Sequence, residues 1–232
     1  FDSTHDDLVH VSVKNHMHGY ENEVAHLRKQ VSFEKAQSGF MVADPLTLYD
    51  CCPTSDGASA VILVADHLAH KFTDTPVWVK GSGAGSDHLA LHDRPSITQL
   101  RATQSAAAKA YTTAGLTAQD IDLAEVHDCF TIAEVLATED LGFAGRGMGG
   151  RFAREGEGRR NEGEVTINAS GGLKSKGHPL GATGSGQAVE VFKQLRHQVE
   201  SPRQVRDAEI GLTHNVGGSG ATCAVHIFGR ER

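Results

Sequence analysis

Three short stretches carry side chains suited to covalent or acid–base chemistry: His127-Asp128-Cys129-Phe130, Gly177-His178-Pro179, and His214-Asn215-Val216-Gly217-Gly218-Ser219-Gly220. A cysteine two residues from a histidine can be a thiol with a depressed pKa, against roughly 8.5 for a free one. His178 can serve as a base or as a donor to an oxyanion, and Gly217 and Gly218 can offer bare backbone N–H groups to a negative oxygen. Together a thiol, an imidazole and paired N–H donors suit acyl transfer or carbon–carbon bond chemistry at a thioester or carbonyl. Singly, each has a plainer reading: Cys129 as a small core residue, His178 as a turn residue with a satisfied ring, the glycines as turns.

The elements around them give the first test. His178 lies midway in Asn168–Gln187, a stretch with Gly172, Gly177, Gly181, Gly184 and Gly186. It follows a β-branched run at Val165–Ile167 and leads into a helical pattern at 188–196, so it marks a strand-to-helix site rather than a linker. His127 to Phe130 directly follows a strand pattern at 121–126 and precedes a helix at 131–141. The third loop joins two closing strands, 210–213 and 222–228.

Further towards the amino terminus, 4–20 reads as a helix capped by Ser3 or Thr4, and 33–37 as a short one. His5, His10, His16, His18 and His26 fall along or near the first helix with no acidic third ligand, and are expected at the surface rather than on a metal. Residues 58–65 form a continuous apolar run, as of a strand buried on both faces, followed by a short helical piece at 66–71. A domain boundary is placed at Pro76, dividing 1–76 from 77–232. After it, 77–80 reads as a strand ending in a bend at Gly81-Ser82-Gly83-Ala84-Gly85, whose spacing is not a dinucleotide fingerprint. An alanine-rich helix, 98–114, follows, and 145–158 reads as a glycine- and arginine-rich loop. The order β-α-β-α-β-α-β-β implies an α/β domain with a mostly parallel sheet covered by helices, its ligand crevice beyond the strand ends.

Composition narrows the partners. The 232 residues are 39% hydrophobic with a formal net charge of -7, which argues against nucleic acid or an anionic membrane as main partner. No run approaches the roughly twenty apolar residues of a membrane span, and the acidic start (Asp2, Asp6, Asp7) is unlike a signal peptide. Cys51, Cys52, Cys129 and Cys223 show no metal-ligand spacing and are read as reduced thiols of a cytoplasmic protein. Arg146, Arg151, Arg154, Arg159 and Arg160 form one candidate basic patch, with Arg151 or Arg154 as candidate phosphate contacts against a reading as solvated loop side chains.

The three blocks, with Asn168-Ala169-Ser170-Gly171-Gly172 and Gly177 to Gly184, resemble the thiolase superfamily in order and in position at strand ends. The His-Asp-Cys-Phe form resembles the sterol-carrier-protein-type thiolases and the archaeal acetyl-CoA acetyltransferases. The resemblance implies a thiolase-like fold and Claisen condensation or thiolysis of a 3-oxoacyl-CoA, with a coenzyme A thioester as substrate and no covalently bound cofactor or metal. Lipid or isoprenoid metabolism would be its setting. Cys129 would then be the acid/base that moves the α-proton. His178 would activate a nucleophilic cysteine and help hold the enolate oxygen, and His127 would be a donor at that oxyanion hole. The Gly217 N–H would join a second hole, with Ser170, Gly171, Phe130 and Asn215 as substrate-binding residues.

That nucleophilic cysteine belongs to the first half of the family's sequence, and neither Cys51 nor Cys52 fits it. The resemblance therefore makes 77–232 the carboxy-terminal thiolase domain and 1–76 a remnant of the loop domain plus the last strand of the amino-terminal half. The implied partners are that missing half, a second copy of the chain, and possible association with a 3-hydroxy-3-methylglutaryl-CoA synthase and a zinc-ribbon/OB-fold protein. On these grounds the chain alone is expected to be inactive. Two alternatives stay open: a thiolase-fold retro-aldolase acting on acyl-CoA side chains, and a non-catalytic scaffold that binds CoA thioesters or a partner.

Overall fold

The computed structural model describes all 232 residues. Helix α1 (His5–Tyr20) starts at a Thr4 capping box completed by Asp7, and α2 (Phe33–Gln37) starts at Ser32, whose hydroxyl accepts from the Lys35 N–H. A small hairpin follows, β1 (Met41–Ala43) with β2 (Leu46–Thr47). The main sheet contains β3 (Trp78–Ser86), β4 (Leu123–Glu125), β5 (Thr166–Ile167), β6 (Ile210–Gly217) and β7 (Thr222–Gly229), in the order β3-β7-β6-β4-β5. Four strands run one way and β7 alone opposes them, so the sheet is mostly parallel.

Helices cover both faces. Helices α3 (Arg101–Ala114) and α4 (Thr131–Asp140) close one side through Ala102, Ala106, Ala110, Ala137 and Leu141 against Val126, Ile167, Leu212, Val225 and Ile227. Helix α7 (Thr183–Leu195) closes the other through Val191 and Leu195 against Leu123. Helices α5 (Gly149–Glu155) and α6 (Gly172–Ser175) pack with α4 around α1.

Several expectations are corrected. The Gly81-to-Gly85 cluster is not a bend at the strand end but the middle of β3, paired to β7 from Trp78 to Ser86. A Cβ on Gly81, Gly83 or Gly85 would press into the backbone carbonyl of Ala110, Ala106 or Ala102. These glycines therefore let α3 lie directly on the strand, which is why the pattern is alternate glycines facing every fourth alanine.

Residues 58–65 are not a buried strand. They are extended without a ladder partner, and Val61, Ile62, Leu63 and Val64 are 46%, 88%, 78% and 39% exposed. A strand exists only where its backbone groups find partners, and no strand of this chain lies beside this one. The 145–158 loop contains α5, because the Glu139 carboxylate accepts the Gly147 and Gly149 N–H groups, both at 2.9 Å, and so caps the helix start.

Not all α1 histidines are at the surface. His16 and His18 are buried, and His18 bridges the Asn168 carbonyl at 3.0 Å and the Arg160 N–H at 3.1 Å. The last strands also run longer than the pattern suggests, so 214–217 belongs to β6 and the turn is confined to the residues that follow.

Candidate functional site

Because β4, β5 and β6 are parallel, their carboxy-terminal ends lie at one edge of the sheet, and the loops that follow the first two converge there. The His127 and His178 rings meet at right angles with centroids 4.9 Å apart. Behind them sits His214, fully buried, whose Nδ1 accepts the His127 N–H at 3.4 Å while its Nε2 lies 3.0 Å from the Thr103 hydroxyl. An accepting Nδ1 makes Nε2 the protonated nitrogen of His214.

The tautomer of His178 follows in the same way. Its Nδ1 is 2.7 Å from the Thr183 hydroxyl, and that hydroxyl donates its single proton to the Pro179 carbonyl at 3.1 Å. Nδ1 must then donate, which leaves the Nε2 lone pair free. Burial and the Lys176 ammonium hold His178 below its ordinary pKa, and burial with the nearby His178 lowers His127 to about 4. Both rings are neutral at physiological pH. The Nδ1 of His127 is buried with no partner inside the chain, the kind of orphan that a ligand oxygen satisfies.

Cys129 departs from the expected depressed pKa. Burial first, then the Asp128 carboxylate and Cys52, push its thiol up to about 11, so it is a protonated group. A cation next to it would have lowered it, and no cation is among the groups that act on this thiol. Its backbone carbonyl accepts the Cys52 N–H at 3.0 Å, and Cys51 pairs with Phe130 in an antiparallel bridge. Cys51 and Cys52 thus wall the site instead of forming a disulfide, and all four cysteines are free.

Of the remaining predicted residues, Phe130 is 43% exposed at the start of α4. Asn215 donates to Gln187 at 3.2 Å beside the start of α7, and Gly217 is exposed at the end of β6 opposite Thr222. Ser170 and Gly171 do not reach the open edge. The Ser170 hydroxyl and N–H both go to the buried Glu125 carboxylate, at 2.5 and 2.9 Å, and Gly171 packs on Gly19 of α1. The arginine patch is likewise engaged within the chain: Arg154 with Asp7, Arg151 with Glu155, Arg159 with Glu162, Arg160 with Glu21 and Arg146 with Thr98.

Sequence reasoning missed the layer beneath. Asn15 donates to Asp128 at 2.7 Å and to Glu134 at 2.8 Å, Lys14 pairs with Glu134 at 2.9 Å, and Asn168 donates to Glu134 at 2.8 Å, all buried. The available signal was the apolar period of α1, which stops after Val13 and leaves a helix face of Lys14, Asn15 and His18. Next to His178 a cleft of about 830 Å³ runs between α7 and 54–60, lined by Ser55, Ser59, Lys176, Thr183, Glu190 and Arg203 among others. In its lining the Arg203 Nη2 donates to both carboxylate oxygens of Glu190, each at 2.7 Å.

The chain is 52% identical over 230 residues to an acetyl-CoA acetyltransferase of Methanothermobacter thermautotrophicus, covering 99% of this chain and 60% of that protein. It is 36% identical over 226 residues to bovine (Bos taurus) sterol carrier protein 2, covering 95% of this chain and 41% of that one. The chain thus spans 60% of the archaeal relative's length and less of the bovine one. A solved structure titled Ltp2-ChsH2(DUF35) aldolase superposes with a TM-score of 0.85 at 24% identity, over 99% of this chain and 59% of that one. Residues 83–230 match the family described as thiolase C-terminal domain-like. With the sheet, the paired imidazoles and the neighbouring thiol all inside or bordering that match, the chain belongs to the thiolase family.

Proposed function

We propose that the whole protein is a thiolase-type acyl-CoA C-acyltransferase, condensing acetyl-CoA or cleaving a 3-oxoacyl-CoA, and that this chain supplies its acid–base half. The observation that carries the reading is the perpendicular His127–His178 pair at 4.9 Å, with a free Nε2 on one ring, an unpartnered buried nitrogen on the other, and Cys129 two residues along the same turn from His127. A Claisen step needs a proton moved at a carbon acid and a negative oxygen held. Cys129, kept protonated by its surroundings, gives its proton to the α-carbon in cleavage, and the thiolate so formed is the base that takes the α-proton back in condensation. His178 acts as base toward the nucleophilic thiol, and neutral His127 donates to the enolate oxygen. Phe130 and Asn215 border the acyl group, the exposed Gly217 offers its N–H to the tetrahedral intermediate, and no resident cofactor takes part.

The nucleophilic cysteine belongs, on this reading, to a partner segment equivalent to the rest of the relatives' length. Two features support it: the chain spans 60% of the archaeal relative, and the Val61–Val64 run exposes apolar side chains and an unpaired backbone. A residue 76/77 division, homo-oligomerisation, cytoplasmic location and further association with a synthase or a zinc-ribbon/OB-fold protein are parts of the same proposal. No helix is long and apolar enough to cross a membrane.

The test is reconstitution. The chain mixed with an amino-terminal partner carrying an intact cysteine should cleave acetoacetyl-CoA, and Cys129→Ala should abolish condensation while acyl transfer to the nucleophile stays measurable. No activity in the mixture counts heavily against the reading, and loss of both steps together sinks the acid–base role. A retro-aldolase is the second reading, favoured by the aldolase title of the structural neighbour with TM-score 0.85. An aldehyde or ketone released without consumption of free CoA would select it.

A further inference from the structure

His127 and Cys129 flank a residue to which the proposed reaction assigns nothing. Asp128 is fully buried, and its Oδ1 accepts the Leu173 N–H at 2.6 Å while its Oδ2 accepts the Lys174 N–H at 3.2 Å and the Asn15 amide at 2.7 Å. Leu173 and Lys174 lie in the single turn of α6, whose chain continues directly to His178. Lys174 is buried as well, and its Nζ reaches back to the Cys51 carbonyl at 2.6 Å. Cys51 in turn lies on the segment whose Cys52 N–H donates to the Cys129 carbonyl at 3.0 Å. The contacts therefore close a ring: Asp128 to α6, Lys174 to Cys51, Cys52 to Cys129, and one peptide bond back to Asp128.

Glycine at position 172 is part of the ring. Its φ is +59°, and a Cβ there would meet the Asp128 carboxylate carbon at 2.7 Å. Both carboxylate oxygens face N–H donors, so an aspartate fits and an asparagine cannot satisfy every donor without turning its own NH₂ toward one of them. Burial and the nearby Glu134 carboxylate push Asp128 up to about 7, while the N–H groups of Leu173 and Lys174 and the ammonium of Lys14 favour its ionised form.

We propose that Asp128 is a positioning residue that, through α6 and Lys174, holds the His127–Cys129 turn and the His178 loop in one fixed relation. Its role in turnover rests on the reaction proposed above; the lock itself does not. The lock is read first on this chain alone, by an NMR titration of the imidazole carbons of Asp128→Asn, Gly172→Ala and Lys174→Met. Groups facing His127 are His178 from the α6–α7 loop and His214 from β6. In the unsubstituted chain His127 should stay neutral from about pH 7.5 to about pH 5, as its lowered value of about 4 requires. In Asp128→Asn it should become solvated and titrate within about one unit of 6.5, while His18, buried on α1, stays neutral. Gly172→Ala should do the same, and Lys174→Met should shift His127 in the same direction by less.

If Asp128→Asn does not fold, the Lys174→Met titration decides, because that change leaves every Asp128 acceptor paired. A folded Asp128→Asn, or in its absence Lys174→Met, in which His127 stays neutral overturns the proposal. So does one in which His127 and His18 titrate together, since that is general loosening. In the reconstituted enzyme Asp128→Asn should lower kcat by about a hundredfold, the scale of a misplacement near 1 Å, with KM within about twofold of the parent. An inactive parent mixture would count against the function and leave the titration result standing.

Discussion

An aromatic disulfide such as dithiodipyridine should react with Cys129 about tenfold more slowly than with a small thiol at about pH 8, and the rate should still be climbing at about pH 10. The thiol is raised from 9.0 to about 11 by burial, the adjacent carboxylate and Cys52. At about pH 8 that leaves roughly one thiolate in a thousand, against roughly one in ten for a thiol at its ordinary value. The hundredfold deficit is partly offset, because a more basic thiolate is more nucleophilic with a slope of about 0.4–0.5, worth roughly tenfold over two units. Steric burial lowers all the rates without moving the pH midpoint, so the midpoint is the cleaner observable. Site-resolved mass spectrometry across about pH 7 to about pH 11 would give it, with half-exposed Cys51 and Cys52 as comparators and buried Cys223, also near 11, as a second slow site. Cys52→Ala should move the Cys129 midpoint down, since it removes a neighbouring acidic group. A midpoint at or below 9 would refute the reasoning, and with it the view of Cys129 as a protonated acid.

Gly83→Ala should cost about 3 kcal/mol in urea unfolding, the upper end of overpacking, because its Cβ would press into the Ala106 backbone rather than a movable side chain. Gly181→Ala, with nothing near the added carbon, should stay within about 0.5 kcal/mol, and equal effects would dismiss the close-packing argument. Acidification from about pH 7 to about pH 5 should destabilise the fold. His10, His16, His18, His127, His178, His214 and His226 are all held below their ordinary pKa, and burial is the first cause in each. Such groups bind protons more weakly folded than unfolded, so their stabilisation is present above about 6.5 and lost as pH falls toward their folded values. Glu125, Asp128 and Asp140 are raised and act in the opposite sense, leaving the histidines in excess. Unfolding at about pH 5 should therefore take up protons, and net proton release would contradict the burial of these rings.

The strand-to-helix rhythm after Pro76 was legible because β-branched runs alternate with helical periods before the two closing strands, and the elements follow one another along the chain in that order. The convergence of His127 and His178 was legible for the same reason, since parallel strands bring their ends to one edge. What escaped was set by tertiary partners. Gly81 to Gly85 reads as a bend until α3 is laid on it, and 58–65 reads as a core strand although nothing pairs with it. The acidity of Cys129 was misjudged because a histidine lowers a thiol only when it is itself charged, and burial keeps His127 neutral while burial, Asp128 and Cys52 raise Cys129. Lys14, Asn15 and Lys174 look like solvated polar residues until Glu134 and Asp128 are placed against them.

The bond from the Lys174 ammonium to the Cys51 carbonyl bears on where this polypeptide can be cut or recombined. Residues 83–230 are the span of the thiolase C-terminal family match, yet one wall of the histidine–cysteine edge and the donors that quiet Asp128 and Glu134 come from residues 14, 15, 51 and 52. A chimera joined near residue 80 would graft a foreign helix over two buried carboxylates chosen for Asn15 and Lys14. The edge of that family match is therefore not a seam of physical independence in this chain, and shuffling experiments should treat residues 5–52 as travelling with the strands they serve.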